Sequence, residues 1–217
     1  MAESGTLAER RRLEIIEAAE RCVLRTGFHQ LTLRDIAREH GGSLGNIYNY
    51  FANKEAIIEA LVEREAERFI RLALVSGREL STAPTLGERL RAHMTAFVDA
   101  YLDSEGARVA VSIAAEALIN DRVRSILVRA NRRLLDVVIE DVLHNREHNW
   151  EIPRSMLEAQ LALSRSLLEG LRITVLFNPD IDRSSLRQVA IDRLTMSILS
   201  DLSRAQGIPP DELAKWP

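Results

Sequence analysis

The chain has 217 residues, of which 46% are hydrophobic and 28% charged, a balance typical of a globular protein with an apolar core. Its ten glycines and six prolines are few for an all-β protein, so the composition favours an all-α fold. The single cysteine, Cys22, excludes an internal disulfide, and no cysteine cluster suggests a metal site. Because neither a signal-peptide pattern nor a run of about 18 apolar residues is present, we expect a cytoplasmic protein without a membrane span.

The charge balance gives no support to bulk attraction of a nucleic acid. The net charge is −3 at pH 7, and residues 1–60 contain eight basic side chains against nine acidic ones. The general basic footprint of a nucleic-acid-binding protein is therefore missing. Any affinity for DNA must depend on local geometry.

Capping signals define the first helices. Apolar residues at helical spacing predict a helix over residues 7–26, which ends at Gly27 because glycine suits the left-handed position after a helix. Thr32 is a capping residue for a second helix, since its hydroxyl can accept an amide while Asp35 reaches back. That helix ends at Gly41.

Ser43 is predicted to cap a short third helix that reaches Tyr50 or Phe51, and Asn53 a fourth that continues to about Val75. After a connector at residues 76–84, helical periodicity predicts five more helices, over residues 85–103, 106–120, 121–146, 154–177 and 183–206. No strand pattern interrupts them.

These elements predict an all-α architecture. An N-terminal helix-turn-helix domain occupies residues 8–54, with its motif at 32–51, and residues 55–79 form a connecting helix and linker. A larger helical domain follows over residues 80–207. Residues 208–217, which are rich in proline, form a tail that we expect to be partly disordered.

The third helix carries the pattern of a DNA-reading helix. If Ile47 points inward at 100° per residue, Gly45 and Asn49 point directly outward, flanked by Asn46 and Tyr48. This outward face has no charge, whereas an ordinary exposed helix would carry Glu, Lys or Arg. Asparagine can contact the edge of adenine, a tyrosine hydroxyl can meet a phosphate, and glycine lets the backbone approach DNA closely.

Lys54 is one of only two lysines in the chain. It lies in the first turn of the fourth helix, where a cation opposes the helix dipole but would suit an approaching phosphate. The alternative is a solvated charge beside Glu55.

The segment over roughly residues 10–60 resembles the DNA-binding domain of the tetracycline-repressor (TetR) family. The matching residues are Thr32, Ile36, Ala37, Gly41, Ser43, Gly45, Asn46, Ile47, Tyr48, Tyr50, Phe51, Asn53, Lys54 and Glu55. The resemblance implies that Thr32, Tyr48 and Lys54 contact phosphates and that Ser43, Leu44, Gly45, Asn46 and Asn49 lie in the major groove. Gly42 departs from the family pattern, which has a small apolar residue there, and we expect a looser turn.

The resemblance also implies that the C-terminal part binds a small-molecule effector and forms a homodimer on a double-stranded, pseudo-palindromic DNA operator. Small side chains at helical spacing would permit close contact between the last two long helices of each protomer. The candidate interface residues are Leu163, Ser166, Gly170, Thr174, Ala190, Leu194 and Ser197. The alternative is that these two helices form intramolecular core.

Two side-chain stripes are candidates for the effector pocket. The first is aromatic and polarisable and consists of His93, Met94, Phe97 and Tyr101. The second is the polar stripe Ser112, Glu116 and Asn120, on a helix so apolar that we expect it to be central and buried. A buried carboxylate needs a partner, so Glu116 binds either a cationic ligand or an arginine such as Arg165 or Arg172.

The sequence thus predicts a DNA-binding transcriptional regulator and indicates no cofactor or metal. The family resemblance implies a repressor that a small-molecule effector releases from its operator. Two alternatives stay open. The residues His144, Glu147 and His148 match a zinc-hydrolase pattern, although the helix ends soon afterwards. The chain could also be a helical adaptor that does not bind DNA, as the missing basic excess would allow.

Overall fold

The computed structural model describes residues 6–79, 83–144 and 152–216. Within these ranges the chain is helical with short connections and has no strand, which confirms the predicted all-α fold. The helices are α1 (Leu7–Gln30), α2 (Leu33–His40), α3 (Leu44–Tyr48), α4 (Lys54–Glu79), α5 (Leu86–Leu102), α6 (Ser104–Ile119), α7 (Asp121–His144), α8 (Arg154–Phe177), α9 (Arg183–Gln206) and α10 (Pro210–Leu213).

The helices form two compact units that do not follow chain order. The N-terminal unit contains residues 1–66 and 108–131, and the C-terminal unit contains residues 67–107 and 132–217. Most of α6 and the first part of α7 therefore pack with the helices that carry the helix-turn-helix motif.

The N-terminal unit is built around one apolar cluster. Its fully buried members include Ile15 of α1, Ile36 of α2, Ile47 of α3 and Ile57 of α4. Val123 of α7 is equally buried in the same cluster, and Val109 and Ile113 of α6 are nearly so. The helix-turn-helix therefore depends on α6 and α7 for part of its core.

Helix α1 contains the break that the sequence predicts. Gly27 has φ 73° and ψ 171°, so the straight part of the helix ends there and a short turn continues to Gln30. Arg108, at the start of α6, donates a 2.7 Å hydrogen bond to the backbone oxygen of Leu24, just before the break. The carbonyl groups at a helix end lack helical partners, and this arginine supplies one.

Helix α6 is not buried on all sides, contrary to the expectation. Val109, Ile113 and Ala117 face the core, but Leu118 is 79% exposed and Ile119 is 72% exposed. An apolar helix can be covered on one face only, and the sequence does not reveal which face its neighbours reach.

The C-terminal unit packs α5 against α8 and α9 around Phe69, Val98, Tyr101, Leu171 and Leu194. The tail is ordered rather than irregular. Leu213 of α10 is fully buried, and the carbonyl oxygens of Ala214 and Trp216 accept hydrogen bonds of 2.9 and 2.7 Å from the backbone amides of Gly87 and Leu86. These bonds satisfy free amides at the start of α5, which is why the tail has a fixed position.

Candidate nucleic-acid interface

The turn between α2 and α3 has the geometry that the motif requires. Gly41 adopts the left-handed conformation, with φ 75° and ψ 23°, and ends α2. The amide of Gly42 then donates a 3.0 Å hydrogen bond to the carbonyl oxygen of Ala37. A residue with a side chain would be strained at Gly41, so glycine permits the sharp reversal.

The predicted caps of α2 and α3 are present. The hydroxyl of Thr32 accepts a 3.2 Å hydrogen bond from the amide of Asp35 and donates one of 2.5 Å to its carboxylate. This bonding lowers the pKa of Asp35 below its usual value. The hydroxyl of Ser43 accepts a 3.1 Å hydrogen bond from the amide of Asn46. The starts of α2 and α3 are therefore fixed by side chains rather than by water.

The inward face of α3 agrees with the prediction. Ile47 is fully buried and Phe51 nearly so, and both belong to the same cluster as Ile36 and Ala37 of α2. This apolar contact fixes the rotation of α3, because any other rotation would expose Ile47.

The outward face of α3 is polar and uncharged. Tyr48 is 54% exposed, Gly45 and Asn49 are exposed as well, and Leu44 and Asn46 are half-buried at the edges. A tyrosine ring and an asparagine amide thus face solvent beside a glycine backbone, with Ser43 exposed at the start of the helix. Such a face offers hydrogen bonds and close backbone approach without a charge.

Because Gly42 has no side chain, the side chain of Asn46 has space beside it. A Cβ atom at residue 42 would lie 3.2 Å from the amide nitrogen of Asn46 and 3.2 Å from the ring of His40. The amide of Asn46 and the imidazole of His40 occupy the space that a larger residue at position 42 would take.

Lys54 is the first residue of α4, as predicted. Its ammonium donates a 3.4 Å hydrogen bond to the carbonyl oxygen of His29 and lies 5.3 Å from the centre of the Phe28 ring. Asn53 caps the helix by accepting a 2.9 Å hydrogen bond from the amide of Ala56. Within the described ranges Lys54 forms no ion pair with any carboxylate, that of Glu55 included.

Two arginines of α1 are paired with a carboxylate of α2. Arg21 and Arg25 of α1 lie 2.7 and 2.6 Å from the carboxylate of Glu39 on α2. These two hydrogen bonds hold the pKa of Glu39 below its usual value. The pairs tie α1 to α2 and neutralise the charge of these two arginines.

Arg12 is a residue of this region that the sequence analysis missed. Its guanidinium lies 4.3 Å from the centre of the Phe51 ring and donates a 3.1 Å hydrogen bond to the carbonyl oxygen of Tyr50. Arg12 therefore fixes the end of the α3 segment from an exposed position on α1. Its partners are too far away in sequence for any local pattern to reveal the contact.

The two predicted effector stripes belong to different units. His93, Met94, Phe97 and Tyr101 lie on α5 of the C-terminal unit, whereas Ser112, Glu116 and Asn120 lie in the N-terminal unit. Glu116 is buried, as expected, but its partners are His29 at 3.6 Å and the amide of Asn120 at 3.1 Å. The suggested pairing of Glu116 with Arg165 or Arg172 is wrong, because both arginines pair with Glu169 on α8.

The candidate dimer residues divide into two groups. On α8, Leu163 is 62% exposed, Ser166 and Gly170 are exposed, and Thr174 is half-buried. On α9, however, Ala190 and Leu194 are buried in the apolar cluster of their own unit, and Ser197 bonds to Gln160 at 3.2 Å.

The inclusion of Ala190 and Leu194 is therefore corrected: this face of α9 packs against α5 and α8. The apolar side chains that α9 exposes are Val189 and Met196. Periodicity alone could not distinguish the two faces, because each carries apolar residues.

Glu147 and His148 of the zinc-hydrolase pattern lie outside the described residues, as does the side chain of His144. Among the residues that are described, no group of three or more His, Cys, Asp or Glu side chains is arranged to hold a metal ion. None of the helices there is sufficiently long and apolar to span a bilayer.

Comparison with known proteins identifies the N-terminal segment. Residues 15–61 match the family model of bacterial regulatory proteins of the tetR family. A curated relative, the HTH-type transcriptional regulator TtgR of Pseudomonas putida, is 35% identical over 102 residues, which are 47% of this chain and 48% of that protein. The chain thus spans about half the length of the curated relatives that it matches first.

Solved structures extend the likeness in fold to nearly the whole chain. A TetR-family protein from Mesorhizobium loti has a TM-score of 0.73 at 19% identity and covers 92% of this chain and 98% of its own. The regulator FadR of Bacillus subtilis, solved with stearoyl-CoA, has a TM-score of 0.61 at 20% identity, with coverages of 85% and 98%. Residues 15–61, which include α2 and α3, thus match the DNA-binding segment of the tetR family of bacterial regulatory proteins, and the solved structures show that nearly the whole chain has the fold of such regulators.

Proposed function

We propose that this protein is a DNA-binding transcriptional repressor that acts as a homodimer and is released from its operator by a small-molecule effector. The observation that carries the proposal is the outward face of α3, which exposes polar, uncharged side chains around a glycine. A solvated helix has no need of such a face, whereas the major groove offers hydrogen-bonding base edges to it.

Base recognition is assigned to Asn46 and Asn49. An asparagine amide can donate to N7 and accept from N6 of adenine in a bidentate contact. Gly45 lets the backbone of α3 approach the groove, and Ser43 and Leu44 lie at the entering end of the helix. Gly42 supports this role of Asn46, because it leaves space for the amide beside His40.

Phosphate contacts are assigned to Thr32, Tyr48 and Lys54. Thr32 and Lys54 stand at the starts of α2 and α4, where free backbone amides and the helix dipole favour an anion. The ammonium of Lys54 has no acidic partner among the described residues, so a phosphate would not have to displace one. The exposed hydroxyl of Tyr48 supplies a further neutral contact.

Dimerisation is assigned to the exposed faces of α8 and α9. Leu163, Phe177, Val189 and Met196 are each more than half exposed, which is unusual for large apolar side chains unless another surface covers them. Ser166, Gly170 and Thr174 lie on α8 as well and would allow its helix to approach closely. Two copies would place two α3 helices on half-sites about one DNA turn, roughly 34 Å, apart.

Release by an effector is proposed by analogy with the regulators that the chain resembles. A ligand that binds one arrangement of the dimer better than another changes operator affinity by that difference in binding free energy. The zinc hydrolase has no support among the relatives, which are regulators, and no observation favours the adaptor.

The test is selection of bound duplexes from a random DNA pool by the full-length protein, followed by measurement of the mass of the complex. We expect enrichment of a sequence with two-fold symmetry and a complex that contains two chains, or a multiple of two. Selection of no sequence at moderate salt would contradict the proposal. Enrichment of an asymmetric site by a single chain would support the proposal of DNA binding but refute that of dimerisation.

A further inference from the structure

Arg172 is a buried cation in the C-terminal unit. Its side chain, on α8, is only 7% exposed. The guanidinium carbon lies 4.0 Å from the centre of the Tyr101 ring and 5.5 Å from that of Phe69, and both rings are themselves buried. The aromatic faces partly compensate the cost of removing the charge from water, but they accept none of its hydrogen bonds in the plane of the guanidinium.

The hydrogen bonds of Arg172 are incomplete. Nη1 donates to Glu169 at 3.4 Å, which is long for a charge-assisted bond, and the buried Nε has no partner in the described part of the chain. Glu169 is 40% exposed and is shared with Arg165, whose Nε lies 3.9 Å away. Two arginines thus depend on one half-exposed carboxylate, and a buried donor without an acceptor is costly.

The surroundings of Arg172 are mainly aromatic, and they include a second arginine, since the guanidinium carbon of Arg68 lies 5.2 Å from the centre of the Phe69 ring. Phe97 stacks at 6.3 Å from Phe69, and His93 lies 5.0 Å from Phe97 on the same helix. Burial lowers the pKa of His93 to about 4, so its ring carries no charge at pH 7. The α5 residues Phe97 and His93 therefore add apolar area and no charge.

From this geometry we propose that the effector is an organic carboxylate, which Arg172 binds through its anionic group while Phe69, Phe97 and Tyr101 contact its apolar body. The inference rests on the effector step of the proposed function and specifies the chemistry of the ligand. A carboxylate supplies the in-plane acceptor that Nε lacks, in the fork geometry that guanidinium groups prefer. Such a contact is strong because the site is shielded from water.

The structural alternative is that Arg172 serves only to pack α8 against α5. Its stacking on Tyr101 would account for the position of the guanidinium, but it leaves the buried Nε without an acceptor. The two explanations differ in whether the negative charge of a ligand increases its affinity for the protein.

The experiment is calorimetric titration of the full-length protein, without DNA, with two monocarboxylates, 4-phenylbutyrate and decanoate. Their neutral amides, 4-phenylbutanamide and decanamide, are the matched ligands. We expect at least one carboxylate to bind about tenfold or more tightly than its amide, since a hydrogen bond to a charged group contributes that much. This comparison uses the unaltered chain and does not depend on the folding of a variant.

Two substitutions of Arg172 test whether this residue causes the difference in affinity between acid and amide. Arg172→Gln is expected to weaken binding of the carboxylate about tenfold or more and to leave binding of the amide unchanged. Arg172→Lys is expected to weaken carboxylate binding less, because the positive charge stays but the forked pair of donors is lost. Arg165→Gln is the matched control, because it also removes an arginine that pairs with Glu169, but a more exposed one.

Equal affinity for acids and amides, an equal loss in both glutamine variants, or no binding of either acid would each overturn the inference. Because DNA is absent from the titration, a protein that selects an operator but binds no carboxylate would refute this inference alone. A protein that binds carboxylates but no DNA would instead refute the proposed function.

Discussion

The third helix and the α8–α9 pair expose opposite kinds of surface. Helix α3 buries its apolar residue Ile47 and presents amides, a hydroxyl and a glycine. Helices α8 and α9 instead expose Leu163 and Met196, although other apolar residues of α9 are buried in the core. A polar face without charge suits a partner that offers hydrogen-bonding groups at fixed positions. An apolar face suits a second apolar surface, which removes it from water. The chemistry of each exposed face thus indicates which kind of partner covers it.

The largest effect is expected from substitutions in the exposed apolar surface of α8 and α9. In the double variant Leu163→Glu, Met196→Glu, a charge on each helix should prevent dimer formation, because the carboxylates would be buried unpaired at the interface. Operator affinity should fall by about a hundredfold or more, since joint binding of two half-sites is lost. Sedimentation and operator titration measure the two quantities.

The control for the dimer variant is Leu118→Glu, which changes an exposed apolar residue of α6 outside the proposed interface. It should leave mass and affinity unchanged. If the double variant sedimented as a dimer, α8 and α9 would not be the interface.

The second prediction tests the polar face. Asn49→Ala should relax base preference by about 1–3 kcal/mol at one position of each half-site, because the bidentate amide contact disappears. The effect is measured by comparing the affinities of the variant and the parent protein for operators in which each base pair is substituted in turn. A uniform loss across all sequences would assign Asn49 to the backbone instead.

Lys54→Ala should have a smaller effect that does not depend on sequence. The ammonium has no acidic partner within the described ranges, so its loss removes a phosphate contact without freeing a carboxylate. The slope of log affinity against log salt should decrease by about one for each protomer. Lys215→Ala, at the other lysine, is the matched control and should keep the slope of the parent protein.

The smallest effect is predicted for Gly45→Ala, with opposite signs for stability and binding. A Cβ at residue 45 meets only the hydroxyl of Ser43, at 3.8 Å, so the folded protein has space for it. The free energy of unfolding should rise by about 0.5–1 kcal/mol, since alanine favours a helix over glycine. Operator affinity should fall, because the methyl group separates α3 from the groove. Thermal melting without DNA and operator titration separate the two effects.

Local signals predicted the helix-turn-helix well. The caps Thr32, Ser43 and Asn53 act within one turn of their own helices, so their role can be inferred from neighbouring residues. The rotation of α3 follows from Ile47 in the same way, because a short helix with one strongly apolar face has a single arrangement that buries it.

Contacts between distant segments were not predictable. The pairing of Glu116 with His29, the stacking of Arg12 on Phe51 and the burial of Ala190 all depend on which helices meet in three dimensions. Helices α6 and α9 carry apolar residues on more than one face, and only packing decides which face is covered. The tail was misjudged for the same reason, since its prolines end one helix but do not prevent docking of the next segment.

The shared core of α1 to α4 with α6 and α7 has a consequence for how such proteins can be recombined. Val109, Ile113, Val123 and Ile126 belong to the same cluster as Ile36 and Ile47, although they follow the connecting helix in the chain. A chimera joined within residues 67–79 would transplant the DNA-reading helices without the residues that complete their interior. An exchange that keeps this interior intact must carry residues 108–131 with it, so the two halves of the sequence are not interchangeable cassettes.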